Sequence, residues 1–340
     1  MTAMLAESAL DRVARTVAAR AAEIDEQRTD VRTDLAELGR EGLLDLDLPD
    51  MARVIDEVSA HSLAVGFSTW AHHMTLRYLD ASPTGGFDEQ IRALAAARKI
   101  GVTAMAAGLK QIAGLGQVPV TGDTDGPDLI VSGPIRWATN VFPDALMVLP
   151  ARVGEHTVVV AVDTGADGVS IDPAPPLTAL GATASTSLHL DRVRVQAHRV
   201  LATDLAAFVA QIRPAFLLLQ TAFCVGVTRA ALTAAAEAHT GPLAQFGTEL
   251  EDAAARTADI RSRLYDWAAD SPAATVPELI RLRLDAASAA VDITRLELSL
   301  TGGVGYTLGS AANRRFREAA FLPVQSPSEG QLRWELTHYE

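Results

Sequence analysis

Apolar residues recur every three to four positions through the first hundred residues of the chain. Val13, Val17 and Ile24, then Leu35, Leu38 and Leu43, put an apolar stripe on one helical face. Gly42 breaks this pattern, and LLDLDLP leads out to Pro49. A second helix is expected over residues 51–79, ended by the turn-rich DASPTGGF, and a third over 88–98. The period changes near Ile100. GVTAMAAG and the Gly-rich stretch after it are read as non-helical. LIVSGPIRW, ALMVLPARV and TVVVAVDT are short β-rich runs, and SLHLDRVRV alternates as a half-buried strand does. Residues 99–197 are therefore expected to form a middle β domain, barrel- or sandwich-like. It would lie between an N-terminal helical domain (1–98) and a C-terminal four-helix bundle (198–340), an α+β class overall.

The last long helix carries the plainest signals. Thr275 and Glu278 make a T-x-x-E capping box around Pro277. Leu282, Ala286, Ala289, Ile293, Leu296 and Leu300 hold a 4-3-4-3-4 spacing suited to bundle packing. Gly302-Gly303 stops the helix.

Composition narrows the function classes. Apolar residues make up 49% and aromatics 5%, so Ala, Leu and Val must fill the core, which favours helices. A net charge of −13 argues against binding nucleic acid through its phosphates. Cys224 is the single cysteine and lies in an apolar run, so it is read as a buried, inert thiol. The N-terminus has no apolar signal core, and the run AFLLLQTAFCVGV is short for a bilayer. A cytoplasmic protein without membrane association is expected.

Four segments, in this order, resemble the acyl-CoA dehydrogenase family. Arg136-Trp137-Ala138-Thr139-Asn140 resembles its W-(I/V)-T-N strand, Ala179–Ser185 its LGxRxS junction, and Arg213-Pro214 with GVTRAAL a helix near the acyl thioester. GGVGY from Gly302 to Tyr306, followed by Arg317-Glu318-Ala319, is similar to its GGxGY and R-(D/E)-A steps. The resemblance spans nearly the whole chain. It implies FAD as cofactor, with Trp137 packed on the flavin and Thr139 hydrogen-bonded to it. Thr103 matches the start of a TEPxxGSD loop. Phe246, in a reduced R-x-x-FG motif, and Gly302 and Gly303 match positions near a flavin shared between subunits. A homodimer or homotetramer is implied.

The resemblance also defines a problem of chemistry. An acyl-CoA dehydrogenase removes the α-proton of an acyl thioester with a carboxylate while a hydride leaves to the flavin. Counting along the C-terminal segment places Ser326 where the family has its Glu, and a minority position for that Glu is Ile212 here. Glu329 is the remaining candidate base and Arg213 a candidate substrate-side residue. The implied activity is α,β-dehydrogenation of an acyl-CoA or acyl-carrier-protein thioester, with an electron-transfer partner or oxygen as acceptor. Two alternatives stay open. One is a flavin-dependent monooxygenase on the same fold, and the other a non-catalytic, flavin-poor partner subunit. His72 and His73 point apart on a helix, so no metal site is expected; one is read as pocket-lining or capped and the other as surface.

Overall fold

The computed structural model describes residues 2–339. Five helices come first: α1 (Thr2–Asp25), α2 (Arg32–Arg40), α3 (Leu48–His61), α4 (Leu63–Asp80) and α5 (Asp88–Ala95). The helix expected over 51–79 is two helices. Ser62 takes an extended conformation, ends α3, and caps α4 by accepting a hydrogen bond from the Val65 N–H through its hydroxyl. A β-region residue between two helical runs is invisible to a periodicity that continues on either side.

The sheet comprises β1 (Gly101–Thr103), β2 (Thr121–Asp125), β3 (Asp128–Ala138), β4 (Leu146–Val153), β5 (His156–Asp163), β6 (Val169–Ile171), β7 (Thr186–Val195) and β8 (Val200–Ala202). Its order is β6-β7-β3-β2-β4-β5-β8, with β1 parallel to β4. The sheet has its own core around Val131, Met147, Leu149 and Val160. A short helix, α6 (Ala106–Ile112), occupies part of the stretch expected to be non-helical. Its Ala, Leu, Lys and Gln residues are good helix formers and outweigh the single Gly108.

Helix returns with α7 (Leu205–Ala238), α8 (Gly247–Ala269), α9 (Val276–Thr301), α10 (Ala311–Ala319) and α11 (Glu329–Leu336). Asp204 caps α7 through the Ala207 N–H at 3.0 Å, so Pro214 lies well inside that helix and does not open it. α7 is long and apolar enough to cross a membrane by length and composition alone, but 78% of its most apolar window is buried by packing. The capping box of α9 forms, the Glu278 carboxylate accepting the Thr275 N–H at 2.7 Å. All six residues of its predicted stripe are buried. Gly302 ends it with φ +65°.

α7 and α9 pack together, and α3 from the N-terminal part packs on α7. A Cβ at Gly226 of α7 would lie 2.2 Å from the Asp56 carbonyl oxygen of α3, so only glycine lets these backbones approach. One hydrophobic core consequently runs through N- and C-terminal helices alike, from Val13 to Leu332. The helices are separate in sequence and joined in space, with the sheet set against them.

Candidate active site

A cavity of about 640 Å³ lies where the sheet meets the helices. Three walls enclose it. The first comes from strands and the loops beside them: Thr103, Trp137, Ala138, Thr139, Leu180 and Ser185. The second is aromatic: Phe67 and Trp70 of α4 and Phe216 of α7. The third is the segment after α10, contributing Phe321, Val324, Gln325, Ser326 and Ser328.

The strand wall is held by short-range bonds. Thr103 and Thr139 face each other across an isolated antiparallel bridge. Thr139 Oγ1 lies 3.1 Å from Ser185 Oγ, which lies 2.7 Å from Thr183 Oγ1. Thr103 Oγ1 meets the Tyr78 hydroxyl at 3.0 Å. Asn140 then turns the chain in the left-handed region, φ +67°, which Asn tolerates better than most residues. Its buried amide donates to the carbonyls of Ser68 at 2.9 Å and Gly101 at 3.2 Å, locking the strand to α4 and β1. Trp137 lines the cavity and remains 56% exposed.

The aromatic wall is a cluster with defined geometry. Phe67 and Trp70 stack with ring centroids 5.4 Å apart. Phe216 and Phe321 meet Trp70 and Phe67 edge-on at 5.0 and 4.9 Å. Such pairs exceed the gain from burial alone by roughly 0.5–1.5 kcal/mol each. The Trp70 Nε1 proton and the Ser326 hydroxyl are both buried without a partner among the described residues. Leaving such a group unpaired costs roughly 1–3 kcal/mol.

Among the described residues that line the cavity there is no carboxylate. Its ionisable residues are Lys110 and Arg317. Arg317 is paired with Asp25 at 2.5 and 2.9 Å and donates to the Thr178 carbonyl at 3.0 Å.

The structure brings Trp137, Thr139 and Thr103 together at the cavity and places the other expected residues elsewhere. Glu329 is the first residue of α11, because the Ser328 hydroxyl caps that helix. Its carboxylate accepts from Arg333 Nε at 2.7 Å, one turn on, and is not in the lining. Arg213 is buried one turn before Phe216 and forms an ion pair with Glu335 of α11, again outside the lining. Phe246 borders a separate hollow between α8 and α9, with Asp252, Arg256 and Arg295. Gly302 and Gly303 are exposed, with nothing within 4 Å of where a Cβ would stand.

His72 and His73 are both buried, and neither reaches the cavity or the surface. His72 Nε2 bonds the Leu94 carbonyl and its Nδ1 accepts the Gly101 N–H, each at 3.0 Å. His73 Nδ1 bonds the Leu44 carbonyl at 3.0 Å. Desolvation pushes both imidazoles down to about 4, so they are neutral near pH 7. Burial pushes the Cys224 thiol up to about 11, an inert state. Glu318 is likewise buried and raised to about 7 by desolvation, its carboxylate accepting the Leu63 N–H that opens α4.

Sequence reasoning missed the aromatic wall as a site, and Ser185 as a partner of Thr139. The WATN motif was a usable signal for the strand wall. Phe67, Phe216 and Phe321 carried none, since they come from two helices and a turn far apart in the chain.

No family model and no curated protein sequence matches the chain. Solved structures do. A glutaryl-coenzyme A dehydrogenase in its glutaryl-CoA complex superposes with a TM-score of 0.87 at 16% identity, covering 98% of this chain and 93% of that one. Butyryl-CoA dehydrogenase from Megasphaera elsdenii gives 0.87 at 16%, covering 98% and 96%. FkbI, described as serving biosynthesis of the methoxymalonyl extender unit of the FK520 polyketide, gives 0.81 at 21%, covering 97% and 98%. With helical N- and C-terminal parts around a mixed sheet, the chain has the acyl-CoA dehydrogenase fold over essentially its whole length.

Proposed function

We propose that this protein is a flavin-dependent oxidoreductase that holds the ring of FAD against Trp137 and Thr139 and acts on an apolar substrate in the cavity. The carrying observation is that Trp137, Thr139 and Thr103 converge on one wall of an apolar cavity, at positions the family resemblance assigns to the flavin. The wall fits that group. It offers a partly exposed indole and neighbouring hydroxyls on Thr139 and Ser185. When bound, FAD accepts hydride and, once reduced, reacts with oxygen. The chain supplies orientation through the Thr139–Ser185 pair and excludes water with Phe67, Trp70, Phe216 and Phe321.

Two chemistries suit such a site, and the lining bears on the choice between them. Dehydrogenation of an acyl thioester needs a base for the α-proton. Among the described lining residues none is a carboxylate, and Glu329 is engaged with Arg333. The lining therefore favours an oxygen-dependent reaction of reduced flavin, which uses no side-chain base. Dehydrogenation of an acyl thioester is the second reading, supported by the likeness of the fold to acyl-CoA dehydrogenases. The exposed Val304, Tyr306 and Leu308 beside Gly302 and Gly303 support a homo-oligomer.

The test is reconstitution with FAD. Uptake of FAD is expected, and Thr139→Ala should weaken it about tenfold, the effect of losing one good hydrogen bond. Acyl-CoA should fail to bleach the bound flavin anaerobically, while a supply of reduced flavin with oxygen should oxygenate an added substrate. Anaerobic bleaching by acyl-CoA would reverse the choice. Failure to take up FAD would favour the partner-subunit reading.

A further inference from the structure

Ser326 sits in a clamp built around a buried cation. Arg283 of α9 is 1% exposed. Its Nε donates to Gln220 Oε1 at 3.3 Å, and one terminal nitrogen donates to Gln325 Oε1 at 3.1 Å and to the Leu322 carbonyl at 3.0 Å. Arg283 thereby fixes the amide oxygens of both glutamines. Their nitrogens then point at one acceptor, the Ser326 carbonyl, at 3.0 Å from Gln220 and 2.6 Å from Gln325. Ser326 lines the cavity, and its hydroxyl is buried and without a partner among the described residues.

The charge of Arg283 is unbalanced locally. Among the described residues no carboxylate pairs with it, and its hydrogen bonds all go to neutral oxygens. A buried guanidinium without a counterion leaves a positive potential that the surrounding low dielectric does not damp. The cavity beside it has no carboxylate to answer that potential; of its own two cations, Arg317 is neutralised by Asp25 and Lys110 is exposed to solvent. Trp70 adds a second unpartnered donor to the same cavity. The lining thus holds two unpartnered donors in a mostly apolar space, with the buried Arg283 behind the Ser326 loop.

We propose that the Ser326 end of the cavity binds a carboxylate carried by an apolar substrate. The Ser326 hydroxyl donates to the carboxylate, and Arg283 is the positioning residue that holds Ser326 in place and supplies the positive potential. The substrate class is an apolar molecule with one carboxylate group. The inference rests on reading this cavity as the substrate site and does not require flavin to be bound.

The experiment compares octanoate with 1-octanol, followed by the tryptophan fluorescence of the full chain. Octanoate should bind about tenfold more tightly than octanol, the effect of a hydrogen bond to a charged group. Ser326→Ala should lower octanoate affinity about fivefold or more and leave octanol unchanged. Arg283→Met should abolish the preference and Arg283→Lys should retain part of it, a rescue that a packing role alone does not give. Equal binding of the two probes, or an equal loss of both in Ser326→Ala, overturns the proposal. Should the Arg283 variants fail to fold, the Ser326→Ala result decides it. FAD uptake measured on the same samples keeps the two readings apart. Octanoate preference without FAD uptake defeats the flavin reading alone, and FAD uptake without preference defeats this one alone.

Discussion

Two regions of the molecule carry family-like motifs, and they are built in opposite ways. The strand wall around Trp137–Asn140 is braced from every side. Thr139 meets Ser185, Asn140 ties α4 to β1, and His72 closes the junction at Gly101. The segment from Gly302 to Leu308 is open. Val304, Tyr306 and Leu308 are 72%, 77% and 83% exposed, and a side chain added at Gly303 would meet nothing. The difference shows that a motif marks a position in the chain and not its distance from the chemistry. The braced region is completed by its own chain, whereas the open one offers apolar surface that its own chain leaves uncovered.

The comparison breaks most visibly in acid. Both histidines have folded-state pKa values of about 4, below the free value of 6.5, so the unfolded chain takes up their protons first. Their contribution is complete above the free value and is lost as pH falls toward 4, by about 3 kcal/mol for each histidine. Urea unfolding at steps from pH 7 to 4, on the unaltered protein and on His72→Gln, reads the His72 part as the difference between the two, because Glu318 and Asp34, raised by burial to about 7 and about 6, shift stability the opposite way over the same range. A difference between the two proteins that does not change with pH would show that His72 is not held neutral in the fold. Next in size is Phe223→Ala. Phe223 is fully buried against the edges of Phe67 and Trp70, so its truncation should cost about 3–5 kcal/mol in the same assay. The smallest effect belongs to the open region. Leu308→Ser should change stability by no more than about 0.5 kcal/mol if the segment is solvated. A larger loss, accompanied by a smaller particle in sedimentation, would show that another chain covers this surface in solution.

The helical stripe of α9, its capping box and its glycine stop were all legible, because each is a local event set within one or two turns. The split at Ser62 was not, since a cap depends on one residue's backbone and leaves the apolar period on both sides intact. Arg213 lies outside the cavity lining for a related reason. Pro214 commonly starts a helix, but Asp204 had already capped α7, and the turn carrying Arg213 faces Glu335 and not the cavity. Counting from Arg317 reaches Ser326, and Glu329, three residues further on, is the first residue of α11 with its carboxylate engaged by Arg333. The strand wall was found because Trp137, Thr139 and Asn140 are close together in sequence as well as in space.

The sequence by itself determined the order of helix, sheet and helix, the identity of the strand wall and the absence of a glutamate at position 326. These follow from periodicity and from residues near one another along the chain. The tertiary structure alone decided that α3 joins the C-terminal bundle, that Phe67, Phe216 and Phe321 form one wall, and that Arg283 and two glutamines grip Ser326. Those contacts join residues tens to hundreds of positions apart. Side-chain packing selects them, and no local pattern in the chain encodes which distant partners will meet.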